Sequence, residues 1–437
     1  MSNQPAPNRR DRAQAGRPPT RGEARGASGQ LSVEALQALI DQTVSINAFV
    51  TSDRTQSGCA INARGNSGEI VGVRCRGQLN RFDIELELPS ESGVKAASTL
   101  GERVGSVDLR WMVIPHSYAA RSDREPPLTR LDTRYSQRIA MQEMTFSFGD
   151  GRDGFYSFGA GRTFPFASGS RPGAVVVSAI GNVTEGFGKF QGHVGNYTLC
   201  GELTPGGGFA GHIIARIVDE RGDLRTRESL PSAGAGGERP DPQFTYLMWL
   251  AQKGKSAAQA NRPSMTPDGQ LRGMNIPMEL KRGHFTFTAA GRDGFRSSPV
   301  RVGEVIGLEE GFGRGPQTAE RQDGTALSPS LFEGVARYSF DDRGGRRLGA
   351  FTTNVLEGRR FDYRYASAPD EVSWRFGFFG PILYGSGCFR GVEGMFYGAS
   401  NSFFKPPPGD HVITHCYFAR LYDPEGKFRS ASGGRRQ

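Results

Sequence analysis

Between residues 44 and 114 apolar side chains recur at every second position more often than at every third or fourth. Strand-like stretches fall at 44–50, 69–75, 81–88 and 106–114, and in the last Val107, Leu109, Trp111 and Val113 share one face. A second set falls near 284–288, 299–308, 332–340, 347–356, 371–384, 388–398 and 411–422. Short strands separated by turn residues predict an antiparallel sandwich or barrel. Two segments read differently. Ser32 can cap a helix whose Leu36, Leu39 and Ile40 share a face. Residues 243–259, with Phe244, Leu247, Met248, Leu250 and Ala251, are a second helix candidate, placed to plug a barrel mouth or bridge two halves.

The strands belong to a duplicated unit. Gly385-Ser-Gly387-Cys-Phe389-Arg-Gly391-Val-Glu-Gly394 repeats Gly186-Phe-Gly188-Lys-Phe190-Gln-Gly192-His-Val-Gly195 at an offset of 199. Further on, Ala419-Arg420-Leu-Tyr-Asp423-Pro-Glu-Gly426 repeats Ala215-Arg216-Ile-Val-Asp219-Glu-Arg-Gly222 at an offset of 204. Two motifs recurring in one order mark a repeated fold unit. Glycine at every second or third position excludes a stable helix and in strands marks bends or close backbone approach. The phenylalanine between the glycines is expected to pack inside. A partial third copy begins at Glu310-Gly311-Phe312-Gly313 and resumes at Phe332, after a polar insertion over 314–330. Gly151-Arg152-Asp153-Gly154 recurs as Gly291-Arg292-Asp293-Gly294, and its Asp-Gly steps suit hairpin turns.

Composition narrows the picture. Glycine, 61 of 437 residues, is spread through aromatic strands rather than gathered in tracts. No apolar run reaches the ~18 residues a membrane helix needs. The net charge of +9 is uneven: residues 1–30 carry +4 and residues 424–437 carry +3, leaving +2 for the body. Nucleic acid is therefore not the expected partner, although basic tails can make salt-sensitive contacts with acidic polymers. Five cysteines without a C-x-x-C spacing predict free thiols in a reducing, cytoplasmic setting. The expected organisation is a disordered tail over 1–30, a first domain over 31–230, a linker with a helix over 231–275, a second domain over 276–430 and a tail over 431–437.

The usual signatures of catalysis are missing: no P-loop, no H-E-x-x-H, no G-x-S-x-G and no dinucleotide fingerprint. His411 and His415 would lie about 13 Å apart on one strand face, so no metal site and no cofactor are expected. On the closing strand Val412, Thr414, Cys416, Phe418, Arg420 and Tyr422 share one face, and Ile413, His415, Tyr417, Ala419, Leu421 and Asp423 the other. The second set is the more apolar, in this copy and the first, and fits a packed face with Arg216 and Arg420 outward. The arginines could equally enter a lumen. The Arg-x-x-Asp spacing before a glycine turn can also serve only to pin that turn. Glu393 and Tyr397 stand where the first copy has Val194 and Thr198. A carboxylate in an apolar barrel would move protons, whereas one on a solvated face would not.

The Gly/Phe run with its aromatic closing strand resembles the end of the allene oxide cyclase and dirigent-like barrels, best over 376–423 and fairly over 142–220. The resemblance implies an all-β chain of two tandem antiparallel barrels of calycin-like type with a few short helices. It also implies cofactor-free isomerisation or cyclisation of a hydrophobic small molecule in a barrel cavity. By that analogy Glu393, Tyr397, His415 and Arg420 are candidate catalytic residues, and Phe389, Tyr417, Phe418, Tyr422 and Trp374 candidate substrate contacts. No catalytic residue of the family maps directly, since only the Gly/Phe framework matches, and the chain is about twice the usual length. A non-catalytic carrier and a structural or interaction protein with basic tails are the alternatives, and homo-oligomerisation is open. A lumen filled by phenylalanine would favour the structural alternative.

Overall fold

The computed structural model describes residues 31–52, 59–64, 70–114, 137–165, 174–203, 208–226, 243–253, 264–265, 271–285, 295–309, 334–355, 357–403 and 412–430. The two expected tails, most of the linker, the insertion over 314–330, the second Gly-Arg-Asp-Gly, Glu310–Gly313 and His411 lie outside these residues.

The first half contains helix α1 (Val33–Ile40), then strands β1 (Thr43–Ser52), β2 (Cys59–Arg64), β3 (Ile70–Leu86), β4 (Ala96–Ile114), β5 (Gln137–Phe148), β6 (Asp153–Pro165), β7 (Val175–Phe187), β8 (Gly195–Leu203) and β9 (Phe209–Val218), and the short helix α2 (Asp223–Thr226). The second holds β10 (Phe244–Lys253), β11 (Ser264–Met265), β12 (Leu271–Phe285), β13 (Phe295–Glu309), β14 (Gly334–Asp341), β15 (Arg347–Val355), β16 (Glu357–Tyr365), β17 (Ala368–Gly387), β18 (Glu393–Phe403) and β19 (Val412–Tyr422). Strands β3 to β9 pair in succession, and β1 joins β3 to β9, closing an eight-stranded antiparallel barrel. The second sheet curls in the same order, and β19 and β12 both pair with β10.

Each interior is packed with the protein's own aromatic side chains. In the first barrel Phe146, Phe148, Phe155 and Phe190 pack with neighbouring ring centroids 4.7–5.8 Å apart, over Val44, Ile46, Leu109, Trp111 and Ile213. The second sheet wraps Trp249, Tyr338, Phe340, Phe351, Phe378, Phe389, Phe396 and Tyr417. An eight-stranded barrel is just wide enough for side chains to fill.

The repeated glycine motif is the hairpin that leads from β7 into β8 in the first half and from β17 into β18 in the second. A Cβ on Gly186 would fall 1.8 Å from the Phe190 carbonyl oxygen, and one on Gly385 1.7 Å from that of Phe389. Gly188 and Gly387 both have φ of +59°, in the left-handed region glycine tolerates. The tight turn drives Phe190 and Phe389 into the cores, as the pattern predicts. Strand β18 accordingly begins at Glu393, and the strand expected over 388–398 is corrected to a turn followed by strand.

The helix expected over 243–259 is corrected as well: residues 244–253 form strand β10. Leu247, Trp249 and Ala251 face the second core while Phe244, Tyr246, Met248 and Leu250 pack between the halves. A strand buried on both faces is apolar throughout and shows no period of two. The stretches 69–75 and 81–88 belong to one 17-residue strand, β3. Helix α1 starts where expected, with Ser32 Oγ accepting from the Ala35 amide at 3.2 Å. Cys75 is disulfide-bonded, and its partner in the β2–β3 register is Cys59. That corrects the expectation of free thiols throughout, although Cys200, Cys388 and Cys416 are free.

The halves interlock. The β3–β4 turn sends Leu86, Val94 and Ala96 into the second core, where Ala96 bridges in parallel to Arg429. In return the β16–β17 turn lays Tyr365 and Ala368 on α1. Glu220 of the first half accepts from the Tyr363 hydroxyl and, at 2.8 Å, from the Ala366 amide.

Candidate functional site

Strand alternation sends one set of side chains into each barrel and the other outward. On β8, β9, β10, β18 and β19 the outward set is not solvated, because these strands face the other half. The halves approach closely at Gly377, whose added Cβ would lie 3.0 Å from Ile180 and 3.1 Å from Thr198. The result is a buried seam with an apolar frame of Phe49, Phe82, Ile180, Ile214, Phe379 and Phe418.

Polar groups inside that frame form two sets. In one, the Asn47 amide nitrogen donates to the Phe82 carbonyl at 2.6 Å, which leaves its oxygen facing His212 Nε2. His212 therefore carries its proton on Nε2, and Nδ1 accepts from the Tyr397 hydroxyl at 2.5 Å. Burial pushes His212 down to about 3, so the imidazole is neutral. Burial likewise holds the Tyr397 phenol well above its ordinary value, with Cys200 adding to the shift.

In the other set, Arg420 Nε donates to the Tyr246 hydroxyl at 3.1 Å, and Nη2 lies 3.4 Å from Glu202 Oε2. Its guanidinium carbon sits 3.4 Å from the Phe244 ring centroid. Burial works against the charge, but Tyr246, Cys200 and Glu202 outweigh it and Arg420 stays protonated. Its counterpart Arg216 donates to Cys416 Sγ at 2.8 Å. Burial pushes the Cys200 thiol up to about 11. Arg375, fully buried, donates to the Tyr365 hydroxyl at 2.7 Å and the Thr43 hydroxyl at 3.2 Å.

The sequence-nominated residues divide among separate places. Tyr397 and Arg420 share the seam with Phe418 and Tyr422, packed against the first barrel. Glu393 is half-buried at the start of β18, opposite Tyr422. His415 points the other way, into the second core, where it stacks on Tyr417 at 5.2 Å and meets Phe378 at 6.4 Å. Burial, and secondarily the charge of Arg216, pushes His415 down to about 3. Neither of its ring nitrogens has a hydrogen-bond partner among the described residues, nor does Ser400 Oγ or Trp249 Nε1. Phe389 lies in the second core, stacked on Phe428 at 5.1 Å. Trp374, half-buried, meets Phe376 at 6.2 Å.

Of the two readings of Arg-x-x-Asp, the aspartate does pin the turn. Asp423 accepts from the amides of Lys427 at 2.6 Å and Phe428 at 2.9 Å and from the Thr245 hydroxyl at 2.8 Å. The arginine instead enters the seam. Sequence reasoning did not single out His212, Asn47 or Glu202. Period two marks them as outward polar residues, and the packing of β9 against β18 that buries them has no local signal. No family model matches the chain, and no curated protein or solved structure matches it.

Proposed function

We propose that this chain is a structural or interaction protein built on two interlocked barrels, with basic termini that contact an acidic partner. The observation that carries this reading is the aromatic filling of both interiors. Among the described residues Glu393, Tyr397, His415 and Arg420 do not share one place: Tyr397 and Arg420 are sealed in the seam and His415 lies in the second core. An antiparallel ladder closed by a Gly/Phe hairpin still supports reading each half as calycin-like, but fold carries no activity with it. Further support comes from the outer surface. Tyr156 and Phe158 of β6 are about half exposed, at 46% and 45%, and Arg74, Arg76 and Arg110 surround the single carboxylate of Asp108.

A second reading has one observation in its favour. The polar atoms of His415, Ser400 and Trp249 without partners inside the second core suit a small guest with donor and acceptor groups, as a carrier would hold. Native mass spectrometry of the full chain, paired with retention on immobilised polyglutamate, separates the two. The structural reading expects no bound small molecule. It also expects salt-sensitive retention that falls when the six arginines of residues 1–30 become glutamine. A stoichiometric co-purifying molecule that a His415→Leu variant no longer carries would replace it with the carrier reading. Chemical change of that molecule, lost in Glu393→Gln, would restore the enzyme.

A further inference from the structure

In the first half the Gly/Phe hairpin ends at Gly192 (φ +78°), and the next residue is His193. The turn places this histidine beside the end of β9, where the Val218 amide donates to the Val194 carbonyl at 2.8 Å. Asp219 then opens a turn through Gly222, and Asp223 starts α2. One nitrogen and two carboxylates thereby converge: ligand atoms of His193, Asp219 and Asp223 all lie within 4.8 Å of one another.

Proton accounting at His193 points to a missing partner. Nδ1 lies 2.8 Å from the Val218 carbonyl, which can only accept, so Nδ1 carries a proton. In the neutral ring Nε2 then presents a lone pair, and it faces Asp223 Oδ1 at 3.0 Å. The side chain is 94% buried, since its exposure is 6%, and Nε2 has no hydrogen-bond donor among the described residues. Two electron-rich atoms at that separation are relieved either by a proton on Nε2 or by a cation between them. Ligands of a four-coordinate zinc ion stand about 3.3 Å apart, given bonds near 2.0–2.1 Å. An imidazole whose other nitrogen is anchored on a backbone carbonyl is the usual arrangement of a metal-bound histidine.

The second half is an internal control. It repeats the backbone, with Gly391 and Gly426 at φ of +73° and +72° and Asp423 pinning the turn. Yet Val392 and Lys427 stand where the first half has His193 and Asp223. The turn therefore needs only the shared aspartate, and the histidine and second carboxylate are additions the fold does not require.

We infer that His193, Asp219 and Asp223 form a binding site for one divalent transition-metal ion of the zinc or manganese kind, clamping the closing hairpin to the end of β9. The mixed nitrogen and oxygen donors suit these ions better than calcium or magnesium. Asp223, 29% exposed, gives the ion a way in from solvent.

Isothermal titration of the metal-stripped full chain, its disulfide intact, with Zn²⁺ and with Mn²⁺ tests this. The expected result is one saturable site per chain, at least tenfold weaker in Asp223→Asn and absent in the doubly substituted His193→Val, Asp223→Lys chain. That double variant carries the second half's own residues and should keep a wild-type circular dichroism spectrum. Cys388→Ser controls for thiol binding and should leave the affinity unchanged. Saturable binding that survives the double variant, or no saturable binding to a folded wild type, overturns the site. In either case His193 and Asp223 are an ordinary ion pair.

Discussion

The two halves use one backbone plan, and where their side chains differ shows which residues serve the fold. Shared are the glycines that let the hairpin close, the phenylalanine it inserts, the arginine that leaves β9 or β19 for the seam and the aspartate that pins the following turn. Unshared are His193 against Val392, Asp223 against Lys427, Thr198 against Tyr397 and His212 against Cys416. The shared set satisfies backbone geometry and fills space. The unshared set meets only its own surroundings, and it holds most of the polar chemistry described above.

If the hairpin phenylalanines do the same work in both halves, truncating either should cost the same. Phe190→Ala and Phe389→Ala are each expected to destabilise by about 4 kcal/mol, the range for a large aromatic removed from a core that cannot collapse. Chemical denaturation of both variants measures it. A large effect at one site and almost none at the other would show that one barrel end is loose.

The seam arginines should differ although the sequence repeats them. Arg420→Met leaves Glu202 buried at 2% exposure without its ion-pair partner and is expected to cost about 3 kcal/mol. Arg216→Met leaves behind a thiol rather than a carboxylate and should cost about 1 kcal/mol. Adding Glu202→Gln to Arg420→Met should recover most of the loss. Equal costs for the two arginines would mean the Glu202 contact contributes nothing.

Much of the fold was legible because local backbone demands write themselves into sequence. Only glycine permits the 186 and 385 positions, so duplication and buried phenylalanine could be read in advance, whereas the turn over 388–392 read as strand. The inward face of β19 could be read from alternation, since Ile413, Tyr417, Ala419 and Leu421 do line the second core. What failed depended on contacts distant in sequence. Strand β10 looked helical because both its faces are covered. Tyr397 and His212 meet across 185 residues, and nothing near either announces the other. The His193–Asp223 convergence needs two turns to fold side by side, which spacing along a single strand does not show.

The smallest expected effect separates the two buried histidines. Both are pushed down to about 3 by burial, so the folded protein favours the neutral ring more than the unfolded chain does. A folded-state value below the unfolded one contributes stability that is complete above about pH 6.5 and is lost as pH falls toward 3. At pH 5.5 each histidine should therefore cost about 1.4 kcal/mol relative to pH 7.5, and replacing either with leucine should remove its share of the slope. At neutral pH the two should diverge. His212 completes a hydrogen-bonded chain from Tyr397 to Asn47, so His212→Leu strands both partners and should cost about 1–3 kcal/mol. His415 makes no hydrogen bond among the described residues, so His415→Leu should be neutral or slightly stabilising. If unfolding at pH 7.5 instead shows His415→Leu losing more than about 1 kcal/mol, the imidazole has a partner inside the second core. The second half would then be the one that holds a guest.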